Sequence, residues 1–289
     1  MKPAPFDYVV PETLEAALVH IADAAGDANI LAGGQTLVPL LALRMAYPSL
    51  VVDINRIAAL KGVSRADGGV RIGATTRQNE ILADPLVARH AGALAQATRY
   101  VGHHQTRNRG TIGGSIALGE PAAEYPATAL ALGARIEARS DSGVRHIDAD
   151  DFYIGPYTTT LEPDEMITAV HFPDWPAGTI AVVHEVARRP GDFALVGLVS
   201  AFALDAGKIT RAGIAWFGMG PTPMRSRKAE AAMTGQAVHG LDWAGVAALA
   251  ISETDPLEDA HATAHYRLTV GARIFRRRVR EALGAGTAA

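Results

Sequence analysis

The sequence predicts an α+β protein in two parts, and three observations carry that prediction. A strand–helix–strand pattern occupies residues 29 to 55, the Pro/Gly-containing segment "DWPAGT" interrupts the chain at Asp174–Thr179, and long alternating apolar runs follow it. The first is a βαβ unit, the second has the composition of a linker, and the third reads as a small antiparallel sheet. A length of 289 residues suits two domains. The expected division is 1–176, itself split near 1–56 and 57–176, followed by 177–289.

Taken in order, "PETLEAALVHIADAAGD" predicts a helix, with Thr13 as N-cap and Leu14, Ala17, Leu18 and Ile21 along one stripe. "NILAGG" is a short buried strand ending in a glycine pair, "QTLVPLLALRMA" a helix with Pro39 confined to its first turn, and "SLVVDIN" a second buried strand. In such units ligands sit at the carboxyl ends of the strands, where the glycine pair lies. "GGVRIGATT" predicts a strand, "RQNEILA" a short helix, and "LVARHAGALAQATRYVG" has helical spacing. "AAEYPATALALG" is a helix leading to the strands "ARIEARS" and "GVRHID", and "DEMITAVHFP" is a strand. Beyond the linker, "TIAVVHEVARR", "ALVGLVSAFALD" and "KITRAGIAWFG" are strands; "SRKAEAAMTG", "LDWAGVAALAI" and "AHYRLTVGARIFRRRVREAL" are helices. The tail "GAGTAA" is expected to fray.

Composition narrows the function. Hydrophobic residues at 48% and charged residues at 20% are those of a globular chain, and a net charge of −3 gives no reason to expect nucleic acid. The basic stretch "RIFRRRVREAL" reads as one face of a terminal helix. There is no long apolar run and no signal-peptide core, so a cytoplasmic location is expected. The chain has no cysteine, which excludes thiolate catalysis and cysteine-ligated iron–sulfur clusters within it. Redox chemistry would need a bound organic cofactor, or a metal on histidines and carboxylates.

Two segments have backbone bare enough for close approach by an anion: "LAGGQT" at Leu31–Thr36 and "GTIGGS" at Gly110–Ser115. Glycine removes the Cβ that keeps a phosphate away and permits the positive φ that turns successive N–H groups inward. Gln35, Thr36, Thr111 and Ser115 add side-chain donors. The two segments together are expected to grip a diphosphate from opposite sides, although either alone reads more simply as an ordinary strand-to-helix turn. The chain contains no GxGxxG after a strand, no GxxxxGK[ST] and no GxSxG.

"LAGGQTLVPLLALRMAYPSLVVDINRI" and "VGHHQTRNRGTIGGSIALGEPAAEYPA", with "FYIGPYTTTLEPDEMITAVHFP", "VARRPGDFALV" and "DAHATAHYR", resemble the FAD-binding medium subunit of the molybdenum hydroxylases. This is the carbon monoxide dehydrogenase and xanthine dehydrogenase family. The resemblance implies a two-part FAD-binding domain of vanillyl-alcohol-oxidase type, then a small domain of antiparallel sheet and helices. It implies an oxidoreductase subunit whose non-covalent FAD takes electrons from [2Fe–2S] clusters on a small subunit. The molybdenum cofactor would lie on a large subunit, in a dimer of heterotrimers. Carried over residue by residue, it implies cofactor contacts from Leu31, Ala32, Gly33, Gly34, Gln35, Thr36 and Val38, and from Thr106, Thr111, Gly114, Ser115 and Ala117. Glu124 falls at the adenosine-binding acid, with Glu120 as its rival; Leu161 and Phe193 fall beside the flavin. His184 stands near a position where relatives have a flavin-contacting Lys. No general acid or base and no metal ligand is implied.

Blander readings accompany these: first-turn helix glutamates, core packing for Phe193, salt bridging for Arg188 and Arg189, and loop shaping by His103, His104 and Arg107. Two other functions use the same features: a non-catalytic assembly or cofactor-insertion protein reusing the fold, and a stand-alone NAD(P)H-dependent flavin oxidoreductase.

Overall fold

The computed structural model describes residues 2–66 and 68–284; the last five residues of the "GAGTAA" tail lie outside them. The first part comprises β1 (Asp7–Val9), α1 (Leu14–Asp23), β2 (Ala28–Leu31), α2 (Leu37–Ala42) and β3 (Leu50–Asp53). Its strands form a parallel sheet in the order β1-β3-β2. Thr13 caps α1, its Oγ1 accepting from the Ala16 amide at 3.2 Å. Leu14, Ala17, Leu18 and Ile21 form the buried stripe, packed on Val52 and Ile54. α2 is shorter than its apolar pattern, because Arg44 turns left-handed at φ 55° and ends the helical run.

A second group follows: β4 (Val63–Ala66), β5 (Gly69–Gly73), α3 (Gln78–Ala83), α4 (Pro85–His90), α5 (Gly92–Thr98), α6 (His104–Arg109), α7 (Ile112–Leu118), α8 (Glu124–Leu132), β6 (Arg135–Ser140), β7 (Gly143–Asp148), α9 (Ala149–Phe152), β8 (Tyr153–Gly155), β9 (Thr158–Thr159) and β10 (Met166–Pro173). The five-stranded sheet β4-β5-β10-β6-β7 is antiparallel, with β10 returning late in the chain to sit in its centre. The single helix expected from "LVARHAGALAQATRYVG" is two, α4 and α5. They break at Ala91, whose φ and ψ of −136° and 49° are not helical.

The C-terminal part holds β11 (Ile180–Val186), β12 (Val196–Asp205), β13 (Lys208–Phe217), β14 (Met224–Arg225), α10 (Arg227–Met233), α11 (Trp243–Ile251), α12 (Ala264–Ile274) and α13 (Arg280–Ala282), with a π turn at Phe275–Val279 joining the last two helices. Its antiparallel sheet runs β11-β12-β13-β14. One face, including Val183, Val199, Ala201, Ala215 and Phe217, packs into the core of the preceding group. The other face, including Leu198, Phe202, Ile214 and Trp216, packs under the C-terminal helices.

α8 joins the two cores. Every one of its residues is buried, as expected for a helix enclosed on all sides. Trp175 of the linker donates Nε1–H to the Leu132 carbonyl at 3.1 Å, and Arg211 stacks 3.8 Å above the same indole. A Cβ on Gly213 would meet the Ala131 carbonyl oxygen at 1.9 Å, so only glycine lets β13 approach α8 this closely. Gly213→Ala is therefore expected to lower stability by about 1–3 kcal/mol through overpacking. Urea unfolding of the variant beside the parent chain measures it, and equal midpoints would refute the close-contact explanation.

Candidate functional site

The first glycine segment leaves β2 and enters α2. Gly34 has φ 70°, a left-handed conformation that side chains resist, and a Cβ there would stand 3.1 Å from Val38 Cγ2 and 3.2 Å from Leu31 Cδ1. Among the described residues the amides of Gly33, Gly34, Gln35 and Thr36 meet no backbone or side-chain acceptor. Gln35 folds back, its Nε2 donating to the Gly33 carbonyl at 3.2 Å. This segment is a run of unspent donors, the arrangement that binds an anion.

The second segment is built differently from the expectation. "HQTRNR" forms α6, and Ile112–Leu118 is already helix α7, capped by Thr111 Oγ1 accepting from the Gly114 amide at 3.2 Å. The Ile112 amide donates to Thr76, that of Gly113 to Ala74 and that of Ser115 to Thr111. Gly113 is required for packing, since its Cβ would lie 2.6 Å from Ala74 Cβ. The symmetrical pair of amide nests is thus corrected. Only Thr111 keeps its amide unspent in this segment among the described residues, and hydroxyls and a bare helix face do the rest.

The two segments touch. A Cβ on Gly33 would meet the Arg109 carbonyl oxygen at 2.5 Å and Gly110 Cα at 2.9 Å. A polar clasp holds them there. Asn55 Nδ2 donates to the Ala32 carbonyl at 2.8 Å, Arg77 Nη2 donates to Asn55 Oδ1 at 2.6 Å, and Arg77 Nη1 donates to the Arg109 carbonyl. Asp53 Oδ1 accepts from Asn55 Nδ2 at 2.6 Å, and Tyr8 donates to Asp53 Oδ2 at 2.6 Å. Arg77 lies outside the stretches that carry the resemblance, and Asn55 lies inside one, "VVDINRI", without a glycine beside it or a role implied for it. Their position just after β3 and just before α3 is the only hint in the sequence.

Between the segments opens a cleft of about 510 Å³. Ala32, Gly33, Gly34, Gln35, Thr36, Thr106, Thr111, Gly114, Ser115, Ala117, Glu124, Leu161 and Phe193 all line it, as does Glu120. Leu31 and Val38 line instead a smaller cavity of about 390 Å³ that shares Ala32–Gln35 with the cleft and that Arg109 also borders. Phe193 projects into solvent at 64% exposure, so it is not a core residue. Its loop is seated by Gly191, at φ 88°, beneath the His103 ring, which a Cβ would strike at 2.5 Å. Arg107 shapes the second segment's approach through Nη1, which donates to the Val101 and Gly102 carbonyls at 2.8 and 3.1 Å. Arg188, itself exposed, lies 3.7 Å from the buried Oδ2 of Asp192.

The two glutamates separate on their partners. Glu120 is already engaged, accepting from the Ala122 amide at 3.0 Å and from the Tyr157 hydroxyl. Glu124 begins α8 at the floor of the cleft and accepts only from its own amide. Burial, then the nearby Glu185, pushes its pKa up to about 8. Glu185 is itself raised to about 7 by burial, and its Oε2 has no hydrogen-bond partner.

His184 is not in the cleft. Side chains alternate along a strand: Ala181 and Val183 of β11 face the core beneath the cleft, and Ile180 and Val186 face the C-terminal helices. His184 shares the second face, where burial and then Arg278 and Arg277 depress its pKa. The residue that β11 turns towards Glu124 is Glu185, one position on. Sequence proximity located the strand and missed its parity.

Known proteins match this architecture throughout. A family described as the FAD binding domain in molybdopterin dehydrogenase matches residues 4–175, and one described as the CO dehydrogenase flavoprotein C-terminal domain matches residues 181–282. The 6-hydroxypseudooxynicotine dehydrogenase complex subunit alpha of Paenarthrobacter nicotinovorans is 39% identical over 284 residues, 98% of this chain and 96% of that one. The fold superposes on carbon monoxide dehydrogenase from Hydrogenophaga pseudoflava with a TM-score of 0.94 at 33% identity, covering 98% of this chain and 99% of the other. For quinoline 2-oxidoreductase from Pseudomonas putida 86 the TM-score is 0.91 at 34% identity, with 99% of both chains covered. Matched in both parts, in order and over nearly its whole length, the chain belongs to the FAD-binding medium subunits of the molybdenum hydroxylases, oxidoreductases of the carbon monoxide dehydrogenase and xanthine dehydrogenase type.

Proposed function

We propose that this chain holds FAD in the cleft between "LAGGQT" and α7 and passes electrons from [2Fe–2S] clusters on a small partner subunit to an external acceptor. A large partner subunit would carry the molybdenum cofactor, in a cytoplasmic dimer of heterotrimers. Relatives named as medium chains and as a complex subunit support a heteromeric role. A chain without cysteine agrees with clusters held elsewhere. Among the described residues no helix is long and apolar enough to cross a membrane.

The observation that carries the reading is the complementary lining of one cleft. Four unspent amides, Gly33 to Thr36, meet the hydroxyl-bearing face of α7. In the same cleft a buried carboxyl group, Glu124, lacks an external partner. A dinucleotide offers a diphosphate to the first and ribose hydroxyls to the second. When bound, FAD supplies the one- and two-electron chemistry, and the protein supplies binding, orientation and electrostatics. Gly33–Thr36 with Thr111 and Ser115 would hold the diphosphate, and Val38, Thr106, Gly114 and Ala117 would pack beside it. Glu124 would accept from the ribose. Leu161 and Phe193 would bound the ring and exclude water from its faces. Leu31 and Val38 line the second cavity bordered by the same segment.

Two measurements test this. Gly34→Ala places a side chain in left-handed backbone and against Val38, a strain of about 1–2 kcal/mol. Its FAD affinity, read by flavin fluorescence on flavin-stripped protein, is expected to fall about tenfold or more. Unchanged affinity would remove the first segment from the site. Glu124 keeps, when folded, a proton that an unfolded chain releases near pH 4.5, so between there and about 8 the folded state binds more protons. Stability must then fall as pH rises through that window. In flavin-free protein Glu124→Gln should flatten the fall, read as urea midpoints at pH 5.5 and 8; a slope identical to the parent's contradicts the assigned burial.

A further inference from the structure

Away from the cleft, the outer face of the five-stranded sheet carries a cluster that flavin binding leaves unused. Glu137 on β6 stands directly across from His146 on β7, and His171 on β10 flanks it from the other side. Glu137 Oε1 is fixed by the Thr168 hydroxyl at 2.6 Å and by Arg71 Nη2 at 2.8 Å. Oε2 accepts from Arg71 Nε at 3.3 Å and lies between the imidazoles, 2.8 Å from His171 Nε2 and 3.8 Å from His146 Nε2. One ligand atom from each of the three residues lies within 4.8 Å of the other two, and the imidazole rings meet edge to face at 5.4 Å.

We propose that Glu137, His146 and His171 form a binding site for a divalent transition metal, with Zn²⁺ as the ion it fits best. Zinc bonds to imidazole nitrogen and carboxylate oxygen at about 2.0–2.2 Å, which sets neighbouring tetrahedral ligands roughly 3.4 Å apart. The two carboxylate–imidazole separations, 2.8 and 3.8 Å, bracket that value and the two imidazoles offer ligand atoms within 4.8 Å, so side-chain rotations rather than backbone movement assemble the site. Two nitrogens and one oxygen suit zinc and its neighbours, and are a poor set for calcium or magnesium, which take oxygen. Arg71 and Thr168 orient the carboxylate from behind, as outer-shell partners of metal ligands do. On binding, the ion replaces the proton shared between His171 and Glu137, and that proton leaves to solvent. The half-exposed His146, at 44%, leaves the fourth position open to water. Arg71 adds positive charge beside the ion and keeps the affinity moderate. Because β7 is the sheet's edge strand and β10 its centre, a bound ion ties the edge to the middle across β6.

The experiment is titration of the flavin-loaded, chelator-treated protein with zinc chloride by calorimetry, paired with thermal unfolding. One saturable ion per chain and a raised midpoint are expected. His146→Ala, whose half-exposed side chain is dispensable for folding, should weaken binding at least tenfold and abolish the thermal shift. His239→Ala, on an exposed residue elsewhere, should leave both intact. Absence of saturable binding, or equal binding by the parent and His146→Ala, overturns the proposal. A His171→Ala variant that folds but binds as tightly as the parent overturns it equally.

Discussion

The contact on which the site depends is the one between Gly33 and the backbone of Arg109–Gly110. There two stretches far apart in sequence approach to a distance that no side chain tolerates. Removing the Cβ is necessary for that approach, but it does not hold the segments together. The Asn55–Arg77 clasp does, by satisfying the Ala32 and Arg109 carbonyls that the close approach would otherwise strand. Arg77 thus has a structural use even before any anion arrives, joining the partly buried Asn55 to the Arg109 carbonyl.

The C-terminal part contributes to the same cleft from the opposite direction. Its sheet lies against α8, and the strand parity of β11 brings Glu185 up beneath Glu124. Its Gly191 loop, seated under His103, carries Phe193 to the rim. The cleft is therefore assembled from both cores, and α8, buried along its whole length, is the element through which a disturbance of either core would reach Glu124.

Much of this was legible in the sequence because it is local. The Thr13 cap, the stripe of α1, the βαβ unit and the alternating strands are matters of spacing within a few residues, and they appear as read. The glycine pairs were visible for the same reason. What spacing does not reveal is how backbone donors are shared out. "TIGGS" looks as bare as "LAGGQT", yet its amides are taken by Thr76, Ala74 and its own helix. Parity errors are equally physical: His184 and Glu185 are neighbours in sequence but face opposite cores, and nothing in "VVHEV" fixes which face is which. The Glu137–His146–His171 cluster is invisible for a third reason, since β10 enters the sheet between strands that precede it in the chain.

The claim that the first segment's amides are the anion grip is open to direct measurement by amide hydrogen exchange on the flavin-free and FAD-loaded protein. The amides of Gly33 to Thr36 should exchange rapidly without FAD and become strongly protected with it, while those of Ile112 to Ser115 stay protected in both states. Unaltered exchange across Gly33–Thr36 on FAD binding would contradict it, because the donors facing the diphosphate would then have to lie elsewhere.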